Sequence, residues 1–205
     1  MVDCDRNHLE LLGILGHWKS NCIRLWCSYG LVELELLRRS FLQNQVQIFS
    51  MKIVTKTGNL LDVTQGHIVH GCNAQGVMGA GVAKAIKQKY PDCFMVYRNE
   101  YNTFGLQLGR AYPWTAYCYT DHKIIIWNAI TQQFSGLPGR NISYDAIQSC
   151  FEQINDSVGN TDDIAKEIHI PMIGAGLGGG NWNIIRTIIE ETVEYPITLW
   201  ILPSK

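Results

Sequence analysis

His70, Cys72 and Asn73 fall together at the start of HGCNAQGVMGAGVAKAI, a stretch running from His70 to Ile86 that passes from a strand-like segment through small residues into a helix-forming run. An imidazole there is suited to protonating a leaving group or to handling the proton of an attacking water near neutral pH. Residues two apart on a strand share a face, so His70 and Cys72 point together, with Asn73 following at the turn. The sequence leaves two readings of His70 open: a general acid/base, or a ribose-binding or packed histidine. For Cys72 the simpler reading is a buried thiol, because a nucleophile needs a lowered pKa and a positioned base.

A second stretch, PMIGAGLGGGNWNII at 171 to 185, repeats the design with glycines at 174, 176, 178, 179 and 180. Turning a strand into a helix takes one or two glycines. The surplus costs backbone entropy and points to close approach of the main chain to a ligand. Helix N-termini after such loops present unpaired N–H groups to anions, and two of them form a natural clamp for a diphosphate. The Gly-Lys-Ser/Thr ending of a P-loop is absent, and the dinucleotide-like glycine spacing in GAGLGG comes late in the chain. His67, His70, His122 and His169 show no compact ligand spacing, so neither a metal nor a cofactor is expected.

These loops need strands and helices to aim them, and the pattern supplies both from Met51 onward. MKIVTKTGNLLD reads as an entry strand and turn, and HIVHGC as a short buried strand. Gly79 to Tyr90 reads as a helix stopped at Pro91, with a further helix over CFMVYRNEY. LGRAYPW and KIIIWNA read as strands, the second covered on both faces, followed by the polar loop QQFSGLPGRN and a helix from Ser143 to Asp156. EIHIPMIG, a helix over Trp182 to Thr192 and the strand ITLWIL complete the alternation, which is that of a three-layer α/β core.

The chain has 205 residues, 17 Lys and Arg against 18 Asp and Glu, and seven cysteines without CxxC spacing. Balanced charge argues against nonspecific attraction to nucleic acid, and the odd thiols against a disulfide framework. No apolar run reaches a membrane span, and Asp3 and Asp5 stand where a signal peptide would be basic. The expectation is a cytoplasmic protein, monomeric, with no membrane and no sequence-specific nucleic-acid partner. Residues 1–50 differ in character, rich in Cys, Trp and Leu with one helix over LVELELLRRSFLQNQVQIF. They read as an extension of unknown role before a domain at 51–205, with Met51 a candidate true start.

GNLLD at 58 to 62, IVHGCNAQGVMGAGVAKAI at 68 to 86 and IPMIGAGLGGGNW at 170 to 182 resemble, in order, three hallmark segments of macro domains, which bind ADP-ribose. The resemblance spans nearly all of Met51 to Lys205. It implies a mixed central sheet flanked by helices, with a ligand cleft at its strand ends. It also implies a ligand-binding set of Asn59, Leu60, Asn73, Gly79, Gly81, Val82, Gly174, Ala175, Gly176, Leu177 and Gly178. In that set Asn59 replaces the Asp that many members aim at adenine, the two loops hold the diphosphate, and Asn73 meets the distal ribose. IVHGCNAQG is most similar to the subgroup that removes phosphate from ADP-ribose 1''-phosphate, which implies His70 as general acid/base with Asn73 orienting the ribose. Two alternatives are a non-catalytic ADP-ribose reader and a hydrolase acting on ADP-ribosylated protein. The latter subgroup uses a Lys on the helix after the first loop, where Lys84 and Lys87 stand, and an Asp in the second loop, which GAGLGGG lacks.

Overall fold

A computed structural model describes residues 53–117, 123–161 and 164–203. The expected extension at 1–50 lies outside the described residues, as does His122. Among the described residues, six strands and four α-helices follow in order: β1 (Ile53–Thr57), β2 (Gly66–Asn73), α1 (Gly81–Lys89), α2 (Pro91–Thr103), β3 (Ala111–Tyr117), β4 (Lys123–Gln132), α3 (Tyr144–Gly159), β5 (Ile168–Ile170), α4 (Trp182–Thr192) and β6 (Ile197–Ile201). A 3-10 turn at Leu60–Asp62 follows β1. The strands form one mixed sheet in the order β1-β6-β5-β2-β4-β3, parallel throughout except for the antiparallel edge strand β3.

Period-two alternation along the central strands explains the three layers. Along β4, Ile125, Trp127 and Ala129 join the core under α3 and α4, while Ile124, Ile126 and Ile130 join the cores under α1 and α2. On β2, Val69 faces the first set and Ile68 and Cys72 the second. A strand covered on both faces has no polar side to show, which is why KIIIWNAI is nearly continuously apolar. Pro91 opens α2 at its first turn, where a missing N–H costs nothing, rather than merely breaking the preceding helix. Among the described residues no helix is long and apolar enough to cross a membrane.

Three histidines are folded into this sheet. His67 Nδ1 accepts from Trp127 Nε1 and His169 Nδ1 from Trp200 Nε1, both at 3.2 Å, so each ring keeps its lone pair engaged and stays neutral. His70 is fully buried, with Nε2 2.9 Å from Asn128 Oδ1 and Nδ1 3.6 Å from Cys72 Sγ. The donor arrangement that satisfies this group has Nε2–H donating to Asn128 and Nδ1 receiving the Cys72 thiol, again a neutral ring. Burial lowers the pKa of His70 to about 4, against the opposing pull of the Asn128 hydrogen bond. Burial, with His169 nearby, lowers that of His67 to about 4.

Between these values and the ordinary histidine value of 6.5, the unfolded chain binds protons that the native protein refuses. Stability is therefore complete above that upper value and is lost as pH falls toward the lower one, by up to about 1.4 kcal/mol per pH unit for each ring. Urea unfolding midpoints should fall between about pH 7 and about pH 5, and equal midpoints would show that these rings are charged in the native state.

Candidate functional site

The carboxyl ends of the neighbouring parallel strands β5, β2 and β4 open into one cleft of about 480 Å³, within the usual range for small-molecule sites. The topology makes this position special. From β2 the chain passes to the edge strand β3 and returns inward on β4, then crosses to the other side of β2 through β5 and β6, leaving a crevice where the connections diverge. Gly71 to Asn73, Val77 and Gly79 to Ala83 form one wall; Pro171 to Gly174 and Gly176 to Gly178 form the other. Thr131 and Gln132 at the end of β4, with Ser135 and Gly136 beyond, add a third side.

The N-terminus of α1 faces this space without a side-chain cap at Ala80. Elsewhere Ser143 accepts from the Ala146 amide at the start of α3, Asn181 accepts from the Asn183 amide at the start of α4, and α2 begins with proline. The first amides of α1 are therefore left for a ligand, at the positive end of the helix dipole. Gly176 has nothing within 4 Å of where a Cβ would stand, so its space belongs to the cleft. Gly178 is the opposite case: a Cβ there would lie 2.5 Å from Ile142 and 2.7 Å from the Gly174 carbonyl.

Asn73 shapes the first loop as well as lining the cleft. Its Oδ1 accepts from the amides of Gln75 at 3.0 Å and Val77 at 3.3 Å, and its Nδ2 donates to the Val77 carbonyl at 2.7 Å. The loop after β4 spans the other two. Gln75 Oε1 accepts from the Ser135 amide and hydroxyl at 3.0 and 3.1 Å, while the amides of Asn141 and Ile142 donate to the Gly178 carbonyl at 2.9 and 3.4 Å.

Of the residues expected at the site, Asn73, Gly79, Gly81, Val82, Gly174, Gly176, Leu177 and Gly178 line the cleft. Four others do not. His70 does not line it: the expected general acid/base is sealed in the sheet layer, its Nε2 proton committed to Asn128, and its low pKa leaves it uncharged at neutrality. Asn59 is exposed outside the cleft lining and spends its Oδ1 on the Leu61 amide at 3.1 Å, capping the 3-10 turn. Leu60 is a core residue, and Ala175 packs against the core under α3 and α4. Cys72 does line the cleft, but burial, with Cys93 and Cys150 nearby, raises its pKa well above the ordinary thiol value and keeps it an inert thiol at neutrality. Lys84 and Lys87 are exposed on α1 outside the lining, with Lys87 Nζ 3.8 Å from the centroid of the Phe94 ring. Sequence reasoning missed Thr131, Gln132, Ser135 and Gly136; the polar turn after an apolar strand paired beside β2 was the available signal.

The family model for the Macro domain matches residues 69–189, more than half of the chain. The chain belongs to the macro-domain family. Members of this family bind ADP-ribose, and some are hydrolases. An uncharacterized 17.5 kDa protein of Enterobacteria phage T4 is 32% identical over 137 residues, covering 65% of this macro-domain chain and 86% of the phage protein. A DNA ADP-ribosyl glycohydrolase of Thermus aquaticus is 28% identical over 138 residues, which are 67% of this chain but 36% of that enzyme. An ADP-ribose 1''-phosphate phosphatase of Aspergillus clavatus is 44% identical over only 48 residues, 23% of this chain and 24% of that one. In fold, the chain is similar to Thermosipho africanus DarTG solved with ADP-ribose, with a TM-score of 0.63 and 21% identity over 76% of this chain and 42% of that one. The likeness to the Aspergillus protein is thus local, whereas an ADP-ribose 1''-phosphate phosphatase of Lodderomyces elongisporus is 21% identical over 137 residues, 66% of this chain and 86% of that one, a stretch as long as the match to the DNA glycohydrolase.

The two glycines of the second loop should respond differently to substitution. Gly176→Phe should keep the melting temperature of the parent and abolish ADP-ribose binding measured by calorimetry, because the ring enters the cleft. Gly178→Ala should cost about 1–3 kcal/mol of stability through contact with Ile142 and the Gly174 carbonyl. A Gly176→Phe protein that binds normally would place the ligand elsewhere.

Proposed function

We propose that this macro domain holds the ADP-ribosyl group in the cleft between its glycine loops and hydrolyses the bond joining that group to a larger carrier, with DNA as the favoured carrier. The supporting observation is the combination of free α1 amides with two glycine-rich walls, which suits a diphosphate bound by main chain. The extended similarity to a protein named as a DNA ADP-ribosyl glycohydrolase supports hydrolysis and this carrier class. Asn73 would meet the ribose beyond the diphosphate.

The reaction type also suits the wall chemistry. Among the described residues, no Lys, Arg, Asp, Glu or His lines the cleft. Phosphate-ester hydrolysis spreads negative charge over phosphoryl oxygens and calls for cationic groups or a positioned base. Cleavage at the anomeric carbon develops positive charge on the sugar instead, which the bound diphosphate can itself stabilise. Water adds to the anomeric carbon as the bond to the carrier breaks. The bonding electrons leave with the carrier atom, and the water proton passes to the carrier or to solvent.

The uncharged wall equally suits a second reading, a non-catalytic reader of ADP-ribose. Both are resolved by presenting the purified protein with an ADP-ribosylated oligonucleotide, an ADP-ribosylated acidic peptide and ADP-ribose 1''-phosphate. Release of ADP-ribose from the oligonucleotide is expected, and Gly176→Phe should lack it. Tight ADP-ribose binding without turnover of any substrate would establish the reader. Phosphate release from the 1''-phosphate with the oligonucleotide intact would reinstate the phosphatase.

A further inference from the structure

Tyr97 of α2 is among the largest fully buried side chains, and its hydroxyl reaches out of the core to the first glycine loop. The oxygen lies 2.6 Å from the Asn73 carbonyl and 3.0 Å from Asn73 Oδ1. The backbone amides of Gly76 and Val77 are turned toward the same oxygen. Burial pushes the phenol far up from its ordinary value, so it keeps its proton and donates. That single proton goes to the nearer acceptor, the Asn73 carbonyl, at the point where the β2–β4 register slips between Cys72 and Asn73.

The orientation of the Asn73 side chain follows from its partners. Oδ1 receives the amides of Gln75 and Val77, which fill its two lone pairs, and one Nδ2 hydrogen goes to the Val77 carbonyl. A flipped amide would set NH₂ against two N–H donors and Oδ1 against a carbonyl. What Asn73 has left is one N–H and no acceptor, and Asn73 lines the cleft.

We propose that Tyr97 is a positioning residue that holds Asn73 as a fixed donor toward the cleft, so that the ligand group met there must offer an oxygen acceptor, as a ribose hydroxyl does. This rests on the reading that ADP-ribose occupies the cleft. Tyr97 touches no ligand; it acts by fixing the main chain at residue 73 and the Val77 amide, one of the two that lock the side chain. Removing its hydroxyl leaves a carbonyl and part of two amides unsatisfied inside the protein, while the ring still fills its place in the core.

The test compares ADP-ribose with ADP, which ends at the diphosphate and has nothing to offer Asn73. Tyr97→Phe should weaken ADP-ribose by about tenfold and leave ADP within about twofold. Asn73→Ala should lose at least as much, and the double variant should lose no more than Asn73→Ala alone, because Tyr97 acts through Asn73. Asn73→Asp, which retains the size but has no N–H, should behave like Asn73→Ala. Equal losses for both ligands, or additive losses in the double variant, would reduce Tyr97 to a packing residue and overturn the proposal. A second readout needs no ligand: the Asn73 side-chain amide protons should show one slowly exchanging, hydrogen-bonded signal in the parent and lose it in Tyr97→Phe. An unchanged amide signal removes the positioning role. A parent protein that binds neither ligand removes the functional reading and, with it, the part of the proposal concerning the ligand.

Discussion

Parallel pairing of β5, β2 and β4 is the constraint from which the site follows. It sends three neighbouring strands out of the sheet on the same side, so three chain segments must turn within a few ångströms of one another. Backbone that leaves a sheet must find new partners for its N–H and C=O groups. Here the loops satisfy one another, through Ala74 to Gln132, Ser143 to Thr131 and Asn141 to Gly178, all at 2.9 Å. The exception is the start of α1, where no side chain intervenes. The cleft is the place where the mutual bonding of the loops stops.

A polar layer inside the sheet supports this arrangement from beneath. Asn128 gives its Nδ2 to the Tyr112 carbonyl at 3.3 Å and contacts Cys93 Sγ at 3.5 Å, while its Oδ1 takes the His70 proton at 2.9 Å. This ties β2, β3, β4 and α2 together one step below the strand ends. Buried polar groups satisfied this fully fix geometry, and the thiols beside them have their ionisation suppressed: Cys93 is pushed up to about 11 by burial against the contrary pull of Asn128. Chemistry at neutral pH is thereby excluded from the layer just beneath the cleft floor.

The elements were legible because each carried its own periodicity. KIIIWNA could be read as a doubly covered strand from composition alone, and glycines of both loops stand in the walls of the cleft. His70 was misplaced for a definite reason. Sequence order puts it beside Cys72 and Asn73, and alternation pairs its face with Cys72, but only Cys72, nearer the strand end, reaches the cleft lining, while His70 is buried further down the strand. Its true partner, Asn128, is fifty-eight positions away on β4, and nothing local announces that pairing. Asn59 failed similarly, since an Asn before a short turn serves equally as a ligand group or as a cap, and here the Leu61 amide takes it. The roof formed by Ser135 and Gly136 depends on a tertiary contact with Gln75 that loop composition does not encode.

A cleft walled by main chain and neutral side chains selects its ligand in a particular way. Charged walls would attract any polyanion, with a strong dependence on salt and little regard for shape. Oriented amides act over a short range and reward only an anion whose oxygens reach them in the right geometry. The near-zero formal net charge of the chain, -1, adds no long-range field to that discrimination. On the proposed function, selectivity for a diphosphate with a sugar on either side rests on the fixed separation of α1 from the second loop. That separation is held by the same parallel strands that brought the loops together, so recognition and fold share one set of hydrogen bonds.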